Sequence, residues 1–510
     1  MSVLTAQCGV CSAAIDTSMG FCSACGYVAS SSASAAPTEL RVEHGRCVVR
    51  LEHGDGTRLL FEAPTIGESL TASEDLVRRG VTFLRDEARS VASPELAEVG
   101  TPNVVAVLPS GALLSTDLSE SSPRERLVGL LGLARLMERA RREQLLWLDL
   151  SPDLVWRSGS SLYPIAVWRV ARLDLADSIA GEPWSGACSP PECALGQPAS
   201  ASSPLFSWAR LTQQLVAPTG LPSVWCAVLQ ACLRSDPLER LASLEDVLDE
   251  LEAALEPTSD PADLEGAWGR VVGGSDRGPL RPEQEDRWTA WVDTDGARGL
   301  AAVADGMGGG VLGGLAAEWA LAGLVRAAEA PGDIVEACRQ AILATSRRIQ
   351  RFREALQLLE CMGTTVVALI WEGSTRSVLH VGDSRAYRAP SGAARFERET
   401  QDHAPVDGGA TGGVTNAVDG GEVHVEMSSW QAIPVGERWL LCSDGFWSPA
   451  ESVGLLDQAA PEDVGDPKQL LTCVRESEEE QLSLLQTADN ATVVLVELAP
   501  PPEGRKEVRE

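Results

Sequence analysis

Three apolar stretches of the sequence each end in an aspartate, and this repeated pattern constrains the fold more than any other feature. The stretch GLAAVADGMGGG carries Asp305, VLHVGDSRAYR carries Asp383, and RWLLCSDGFW carries Asp444. A short apolar run bounded by turn residues predicts a buried strand. Strands that end in acids can bring those acids to one rim of a sheet, so the pattern predicts a single carboxylate site.

The length and charge of the chain limit its organisation and its partners. At 510 residues it is long enough for about two to four domains. The formal net charge of −31 argues against binding to nucleic acid or to an anionic membrane surface. No apolar run approaches the ~18 residues of a membrane span, and the segment MSVLTAQCGVCSAA lacks the basic and apolar regions of a secretory signal. We therefore expect a soluble, cytoplasmic protein.

Changes in composition divide the chain into three blocks. Clustered cysteines occupy the first block, the Ser/Ala/Pro segment ASSSASAAPT follows it, and the Pro/Asp-rich segment EPTSDPADLEG separates the second block from the third. The predicted organisation is a cysteine-rich segment at residues 1–28, a linker at 29–38, a second block at 39–255, a linker at 256–266, a third block at 267–498 and a charged tail at 499–510.

Two Cys-x-x-Cys pairs lie in the first block, Cys8 with Cys11 and Cys22 with Cys25. Four thiolates from two tight turns make a tetrahedral site that suits one structural Zn2+, and so short a segment needs the metal in order to fold. The segment resembles the short zinc ribbons that open many bacterial multidomain proteins. Chance pairing of ordinary cysteines and a redox motif are the alternatives, and no βαβ pattern supports the redox motif.

The third block supplies an oxygen-rich set of candidate ligands. The acids at the ends of its predicted strands are Glu285, Asp305, Asp383, Asp444 and Asp489. Oxygen ligands suit Mg2+ or Mn2+, and clustered carboxylates repel one another unless cations lie between them. Gly306 lets a backbone carbonyl approach a metal, and Arg281 offers a planar fork for phosphate. With two metals, a bridging water becomes a hydroxide that can attack phosphorus in line.

These motifs, in this order, resemble those of the metal-dependent protein phosphatases of the 2C type, the PPM family. The resemblance covers about 230 residues, or the whole third block. It implies an α-β-β-α sandwich, in which two stacked and mainly antiparallel sheets carry helices on both outer faces. The whole chain would then be an α+β multidomain protein. A folded relative that binds no metal is the alternative reading of the same motifs.

The resemblance also implies a role for each candidate residue. Arg281 would bind the substrate phosphate, Asp305 would bridge two metals, and Gly306 would offer its carbonyl. The other metal ligands would be Glu285, Asp383, Asp444 and Asp489. Asp383 would hold a weaker third metal, as in bacterial members of the family. Arg281, Asp305, Asp444 and Asp489 would form the catalytic set.

The third block also departs from the family pattern. Gly310 stands where a histidine usually follows the DGMGG motif, which removes no ligand. The segment DGGATGGVTNAVDGGEV, in the place of the substrate flap, is rich in glycine and poor in basic residues, which puts substrate choice in doubt. His403 precedes this segment and is a candidate general acid, although a capping or core role is favoured.

The second block, residues 39–255, resembles the protein-kinase-like fold, mostly its C-terminal lobe. Asp149 falls where the catalytic-loop aspartate lies, and Glu192 and Arg240 match a structural ion pair of that fold. The metal-binding asparagine is replaced by Leu154, no DFG motif or glycine-rich loop is present, and the block contains no lysine to hold ATP phosphates. The sequence therefore predicts a pseudokinase, with an unrelated helical domain as the alternative.

Taken together, the three blocks predict a protein serine/threonine phosphatase that a pseudokinase module and a zinc ribbon regulate or target. Two or three Mn2+ or Mg2+ ions and one Zn2+ are the expected cofactors. The expected partners are phosphoproteins, among them a Ser/Thr protein kinase, and neither nucleic acid nor membrane. A catalytically silent adaptor is one alternative, but no metal-site acid is substituted. A bifunctional kinase–phosphatase is the other, and the missing lysine opposes it. The sequence predicts no oligomeric state.

Overall fold

Two separate sets of strands and helices make up the computed structural model, one in Met1–Pro257 and one in Thr258–Glu510. The described residues are 5–7, 14–16, 39–44, 47–53, 57–62, 72–91, 104–108, 112–114, 121–164, 170–172, 188–217, 221–256, 262–308, 311–358, 361–393, 395–404, 414–458, 465–481 and 489–499. The predicted zinc ligands Cys8, Cys11, Cys22 and Cys25 lie outside the described residues, as do the linker at 29–38 and all but the first residue of the predicted tail.

The first unit begins with strands and continues mainly with helices. Its strands are β1 (Thr5–Gln7), β2 (Ala14–Asp16), β3 (Glu39–His44), β4 (Cys47–His53), β5 (Thr57–Glu62), β6 (Val104–Leu108), β7 (Ala112–Leu113), β8 (Leu145–Trp147), β9 (Val155–Ser158), β10 (Ser161–Pro164) and β11 (Val170–Arg172). Its helices are α1 (Ala72–Val91), α2 (Pro123–Arg142), α3 (Pro191–Ala194), α4 (Ser203–Leu215), α5 (Ser223–Cys232) and α6 (Leu248–Ala253).

Strands β3 to β6 form an antiparallel four-stranded sheet in sequence order, and α1 packs on β5 and β6. The helical part is organised around α2, whose first turn is stabilised by a capping box between Ser122 and Glu125. Trp208 of α4 and Trp225 of α5 are fully buried, and their indole N–H groups donate to backbone carbonyls of α2 and α6. This part of the unit therefore has its own well-packed core.

The second unit contains more strands than helices among its described residues. Its strands are β12 (Leu264–Gly266), β13 (Gly269–Asp276), β14 (Arg287–Val292), β15 (Arg298–Ala304), β16 (Gly306–Met307), β17 (Gly363–Thr364), β18 (Val366–Glu372), β19 (Thr375–Val381), β20 (Arg385–Ala389), β21 (Glu397–Arg398), β22 (Glu426–Met427), β23 (Gln431–Ala432), β24 (Glu437–Cys442) and β25 (Ala491–Leu498). Its helices are α7 (Val311–Glu329), α8 (Ile334–Leu356), α9 (Asp444–Ser452), α10 (Leu455–Gln458) and α11 (Pro467–Gln481).

These strands form two antiparallel sheets. Sheet I has the order β12-β13-β25-β24-β20-β21, and sheet II has the order β14-β15-β18-β19-β22, with β23 also paired to β19. The buried cluster between them takes Trp439 and Val494 from sheet I and Val303, Leu369 and Trp371 from sheet II. The two sheets therefore stack face to face, with a dry apolar layer between them.

Helices cover both outer faces of this stack. Helices α9, α10 and α11 pack on sheet I through Phe446, Leu456 and Val474, whereas α7 packs on β14 and β15 of sheet II and pairs with α8. Because β15 is covered on both faces, its residues from 299 to 304 are all buried, which explains the continuous apolar run in the sequence. The predicted α-β-β-α sandwich is confirmed.

Helix α7 is long and apolar enough to cross a membrane by length and composition alone. However, 67% of its most apolar window is buried inside the protein. Its contacts with sheet II and α8 account for this apolar composition. Among the described residues, no other helix meets the same criteria.

The linker predicted at residues 256–266 overlaps the start of the second unit. Residues Leu264–Gly266 form β12, which pairs with the first part of β13. Asp263 also accepts a hydrogen bond from the backbone of Gly273. The prediction was too long at this end, because the Pro/Asp-rich composition hid a three-residue edge strand.

Candidate metal centre

The acids that the sequence singled out lie at the ends of strands from both sheets. Glu285 precedes β14, Asp305 follows β15, Asp383 lies between β19 and β20, Asp444 opens α9 after β24, and Asp489 precedes β25. The two sheets are stacked through one core, so these strand ends can share a rim. Arg281 lies close enough to Glu285, Asp305 and Asp489 to interact with their charges. Asp305 interacts in the same way with Asp383 and Asp444, so these residues share one region.

Asp305 is held from its backbone as well as by its place after β15. Its carbonyl accepts hydrogen bonds from the Thr364 hydroxyl at 2.8 Å and from the Thr365 amide at 2.9 Å. The next residue, Gly306, pairs with Thr364 in the short ladder between β16 and β17. Contacts with β17 and with Thr365 therefore fix the backbone at residues 305 and 306. These contacts do not use the Asp305 carboxylate, which can take part in the acid cluster.

The cluster concentrates negative charge in a buried place. Burial raises the pKa of Asp305 well above its usual range, and the neighbouring Asp286 and Asp444 carboxylates raise it further. Burial also raises the pKa of Asp444, although a hydrogen bond with Asp305 opposes this rise. The pKa of Asp383 rises to about 7 through burial and the charge of Asp444. The rim cannot hold all of these charges unless protons or cations neutralise part of them.

Asp286 belongs to the cluster, and the sequence analysis missed it. Its side chain is 2% exposed and accepts a hydrogen bond from the Ser443 hydroxyl at 2.7 Å. Burial and the charge of Asp444 raise its pKa to about 7. The signal was present in the sequence as an acid directly after Glu285, but only Glu285 was assigned to the site.

The segment that carries Glu285 is tied to β25 by Asn490, a second residue that the sequence analysis did not assign to the site. The amide of Glu285 donates to Asn490 Oδ1 at 2.8 Å. The Asn490 side chain donates in turn to the carbonyls of Arg277 and Glu283, at 2.7 and 3.1 Å. Because Asn490 directly follows Asp489, this side chain fixes the spacing between two of the acids.

Glu285 lies directly against the first turn of α7, where the backbone of Gly313 approaches it closely. A Cβ atom at Gly313 would overlap Oε2 of Glu285, and it would lie 2.8 Å from the carbonyl carbon of Gly306. A side chain at position 313 would therefore separate the Glu285 carboxylate from the Gly306 backbone. Glycine at this position lets the candidate carboxylate and carbonyl ligands share one place.

Arg281 lies at the open side of the cluster. Its Nη2 donates to Oδ2 of Asp489 at 2.6 Å, and the two side chains are 46% and 38% exposed. Against the lowering effect of burial, the hydrogen bond to Asp489 and the charges of Glu285 and Asp305 raise the pKa of Arg281. A guanidinium at the edge of an acid cluster can receive a dianionic phosphate there.

The donor set fits Mg2+ or Mn2+. The residues that would hold the cations are Glu285, Asp305, Asp383, Asp444 and Asp489 through carboxylates and Gly306 through its carbonyl. All of these donors are oxygen atoms, which hard divalent cations prefer. The mutual raising of carboxyl pKa values is the response expected of a site that needs positive charge.

Two other sets of predicted residues lie in the first unit. The structure brings Glu192 and Arg240 together in a bidentate ion pair, with N–O distances of 2.7 and 3.1 Å, and both side chains are buried. Asp149 is 4% exposed, and its carboxylate accepts hydrogen bonds from the backbone and the hydroxyl of Ser151. The four cysteines that the sequence analysis predicted as zinc ligands are not among the residues described.

The fold and the rim of acids define a class, an α-β-β-α sandwich with a candidate oxygen-ligand metal centre. Residues 282–482 match the profile of the family described as Protein phosphatase 2C. The C-terminal unit therefore contains a PP2C-type serine/threonine phosphatase domain. The paired strands β13 and β25 extend the sandwich beyond both ends of the matched region.

Curated relatives carry corresponding names. The chain is 32% identical over 205 residues to the serine/threonine protein phosphatase PstP of Mycobacterium tuberculosis (strain CDC 1551 / Oshkosh). This match covers 37% of this chain and 38% of the relative. It is 28% identical over 245 residues to the serine/threonine phosphatase stp of Listeria welshimeri, covering 44% of this chain and 93% of the relative. The chain thus spans about two fifths of the mycobacterial relatives that it matches.

Solved structures of similar proteins include the catalytic domain of the serine/threonine protein phosphatase PstP in complex with two manganese ions. The sequence identity is 29%, the TM-score is 0.38, and the match covers 45% of this chain and 98% of that one. PppA, a regulatory component of the type VI secretion system of Pseudomonas aeruginosa, is 27% identical with a TM-score of 0.38, covering 46% of this chain and 98% of that one.

Proposed function

We propose that the protein hydrolyses phosphoserine and phosphothreonine monoesters of phosphoproteins through a centre of two or three Mn2+ or Mg2+ ions. The observation that carries this proposal is the convergence of six buried or half-buried acids with one arginine on the rim of a PP2C-type sandwich. None of the acids that the family resemblance requires is substituted. A silent adaptor is therefore disfavoured.

Each residue of the site has a separate role in the proposed reaction. Bound cations would lower the pKa of a water molecule and stabilise charge on the phosphoryl oxygens. Asp305 and Asp444 hold the centre of the negative cluster. Arg281 receives the substrate phosphate from the solvent side, and the hydrogen bond to Asp489 orients its guanidinium toward the cluster. Gly306 offers backbone oxygen without a side chain that would obstruct the approach.

We further propose that the first unit acts as a pseudokinase that targets or regulates the phosphatase, together with an N-terminal zinc ribbon held by Cys8, Cys11, Cys22 and Cys25. A bidentate Glu192–Arg240 pair supports a kinase-like arrangement, because this pair is structural and does not depend on ATP chemistry. The carboxylate of Asp149 is bonded within its own loop. The unit also lacks every lysine, which opposes phosphotransfer.

The proposed activity can be tested with the full-length protein and a phosphothreonine peptide. We expect phosphate release that requires Mn2+ or Mg2+ and stops when a chelator is added. D305N and D444N should each abolish release while keeping the fold, because removing charge from a crowded cluster relieves repulsion. Full activity in either variant, or release that persists in the chelator, would refute the proposed function.

A further inference from the structure

A group of two histidines and one glutamate lies next to the turn that carries Asp383. His380 of β19 faces Glu426 of β22 in register, and the His380 and His403 rings lie 4.8 Å apart. One nitrogen or oxygen atom from each of the three side chains lies within 4.8 Å of the others. His380 is 2% exposed, and neither of its ring nitrogens has a hydrogen-bond partner within the described part of the chain.

The hydrogen bonds of His403 argue against a metal ion in this group. Its Nδ1 accepts the amide of Gly382 at 3.0 Å and faces the Nδ2 of Asn416 at 2.8 Å. Two backbone hydrogen bonds with His424 fix the orientation of the Asn416 amide. Nδ1 therefore carries no proton, and the ring proton sits on Nε2, which lies 3.2 Å from Glu426. A cation bound to Nε2 would displace that proton to Nδ1. The proton on Nδ1 would then face the N–H groups of Gly382 and Asn416, which is unfavourable.

The same contacts make His403 a clamp on the backbone. Its own amide donates to the Gly382 carbonyl at 2.8 Å, while its ring accepts from the Gly382 amide. Gly382 has φ +105°, and a Cβ there would lie 2.5 Å from the Cβ of Thr365. Both polar groups of this glycine are thus held by one residue, in a conformation that other residues rarely adopt. The residue that follows Gly382 is Asp383.

The other side of Asp383 is held as well. The Trp447 indole of α9 donates to the Asp383 carbonyl at 2.9 Å. The Arg385 guanidinium stacks 3.2 Å from the centre of the Trp447 ring and pairs with Asp402 at 3.0 and 2.8 Å. Asp402 precedes His403. The backbone on both sides of Asp383 is therefore fixed by α9 and by residues 402 and 403.

We propose that His403 is a positioning residue for Asp383, and that its Nδ1 sets the affinity of the weakest cation site by holding the Gly382 amide. This inference rests on the proposed function, in which Asp383 holds a third cation. It assigns His403 no proton transfer to substrate. Partners that orient a metal ligand typically change metal affinity by about 10–100-fold when they are removed.

The test is a Mn2+ titration of the full-length protein in which electron paramagnetic resonance counts the free ion. Wild-type protein should show two tighter sites and one weaker site. H403A should weaken only the weak site, by about tenfold. H403N should restore the affinity of the weak site, because the amide oxygen of asparagine takes nearly the place of Nδ1.

Two further variants separate this effect from a general loss of packing. In a D383N background, which lacks the weak site, H403A should have no further effect. H403L removes the acceptor with less loss of volume and should match H403A.

His424→Ala is the matched control. Its ring lies 6.4 Å from that of His403, and its hydrogen bonds to Asn416 come from the backbone, so the weak site should stay unchanged. An unchanged weak site in H403A and H403L, or an H403N variant as weak as H403A, would overturn the inference. If the wild-type protein releases phosphate but has no third Mn2+ site, this inference fails and the proposed function stands. If the wild-type protein releases no phosphate at saturating Mn2+, the proposed function fails.

Discussion

Arg281 is the side chain proposed to bind the substrate phosphate, so its replacement should weaken catalysis. R281A should lower kcat/KM by roughly 10–100-fold, because a charged hydrogen bond contributes about 1.5–3 kcal/mol. R281K should fall between wild type and R281A, since it keeps the charge without the planar fork. Steady-state kinetics with a phosphothreonine peptide measures both variants.

Arg339 provides a matched control for this comparison. It forms an ion pair with Glu336 at 2.6 Å on α8, the same distance as the Arg281–Asp489 pair. R339A should leave kcat/KM within about twofold of wild type, since exposed pairs contribute little. An R281A enzyme with unchanged kcat/KM would remove Arg281 from the substrate site.

The acid cluster also predicts how stability depends on pH when cations are absent. The pKa of Asp286 rises from its usual 3.8 to about 7, and that of Asp383 does the same. At pH values between the usual and the raised pKa, the native state binds more protons than the unfolded state. The free energy of unfolding therefore increases as the pH falls toward about 4. In a chelator, the melting temperature of the second unit should therefore be higher at pH 6 than at pH 8.

D286N removes one of these charges and should flatten this pH dependence, whereas E329Q, at an exposed position on α7, should leave it in place. Saturating Mn2+ should reverse the trend, since cations need the carboxylates deprotonated. Differential scanning calorimetry at pH 6, 7 and 8 measures the effect. A melting temperature that rises with pH in the chelator would contradict the electrostatic account of the cluster.

At the scale of elements, the contact between α7 and the segment before β14 positions Glu285. G313A adds a methyl group that overlaps the Glu285 carboxylate, so either the helix or the carboxylate must move. We expect a loss of about 1–3 kcal/mol in the free energy of unfolding, as for other overpacked sites, together with weaker Mn2+ binding. Calorimetric Mn2+ titration and urea unfolding measure the two effects.

Gly465 is the matched control for this substitution, because a Cβ there meets no atom within 4 Å. G465A should keep both wild-type stability and wild-type Mn2+ affinity. If G313A also keeps wild-type Mn2+ affinity, then the close approach of α7 does not position Glu285.

The sequence predicted the strands β15, β19 and β24 because they are largely buried and contain mainly apolar runs before their ends. Asp305, Asp383 and Asp444 stood out where those runs stop. Other features depend on contacts between segments far apart in sequence, such as Asn490 with Glu285 and His403 with Gly382. No local pattern encodes such contacts, and the short strand β12 was likewise hidden in a linker-like composition.

At the scale of the whole molecule, the two units have separate cores, and the Glu192–Arg240 pair belongs to the first. R240A leaves a buried carboxylate without its partner and should cost roughly 3–5 kcal/mol. The double variant E192Q/R240A should cost less than the sum of the single losses. Hydrogen exchange of the full chain should show lost protection in α4 and α5, with β24, β25 and basal phosphate release unchanged.

The Arg135–Glu252 pair of the same unit is the control, since both side chains are exposed and the pair should contribute at most about 1 kcal/mol. If R240A costs no more than R135A, the buried pair does not hold this part of the fold together. Lost protection in β24 and β25 of R240A would show that the stabilities of the two units are coupled.

The proposed metal centre can be tested directly by an anomalous difference map, at the manganese edge, of crystals of the full-length protein grown with Mn2+. We expect two strong peaks beside the Asp305 carboxylate, near Asp444 and Asp489, and a weaker peak beside Asp383. Peaks elsewhere, or an empty rim with Asp305 and Asp444 sharing a proton instead of a cation, would refute the proposed metal centre.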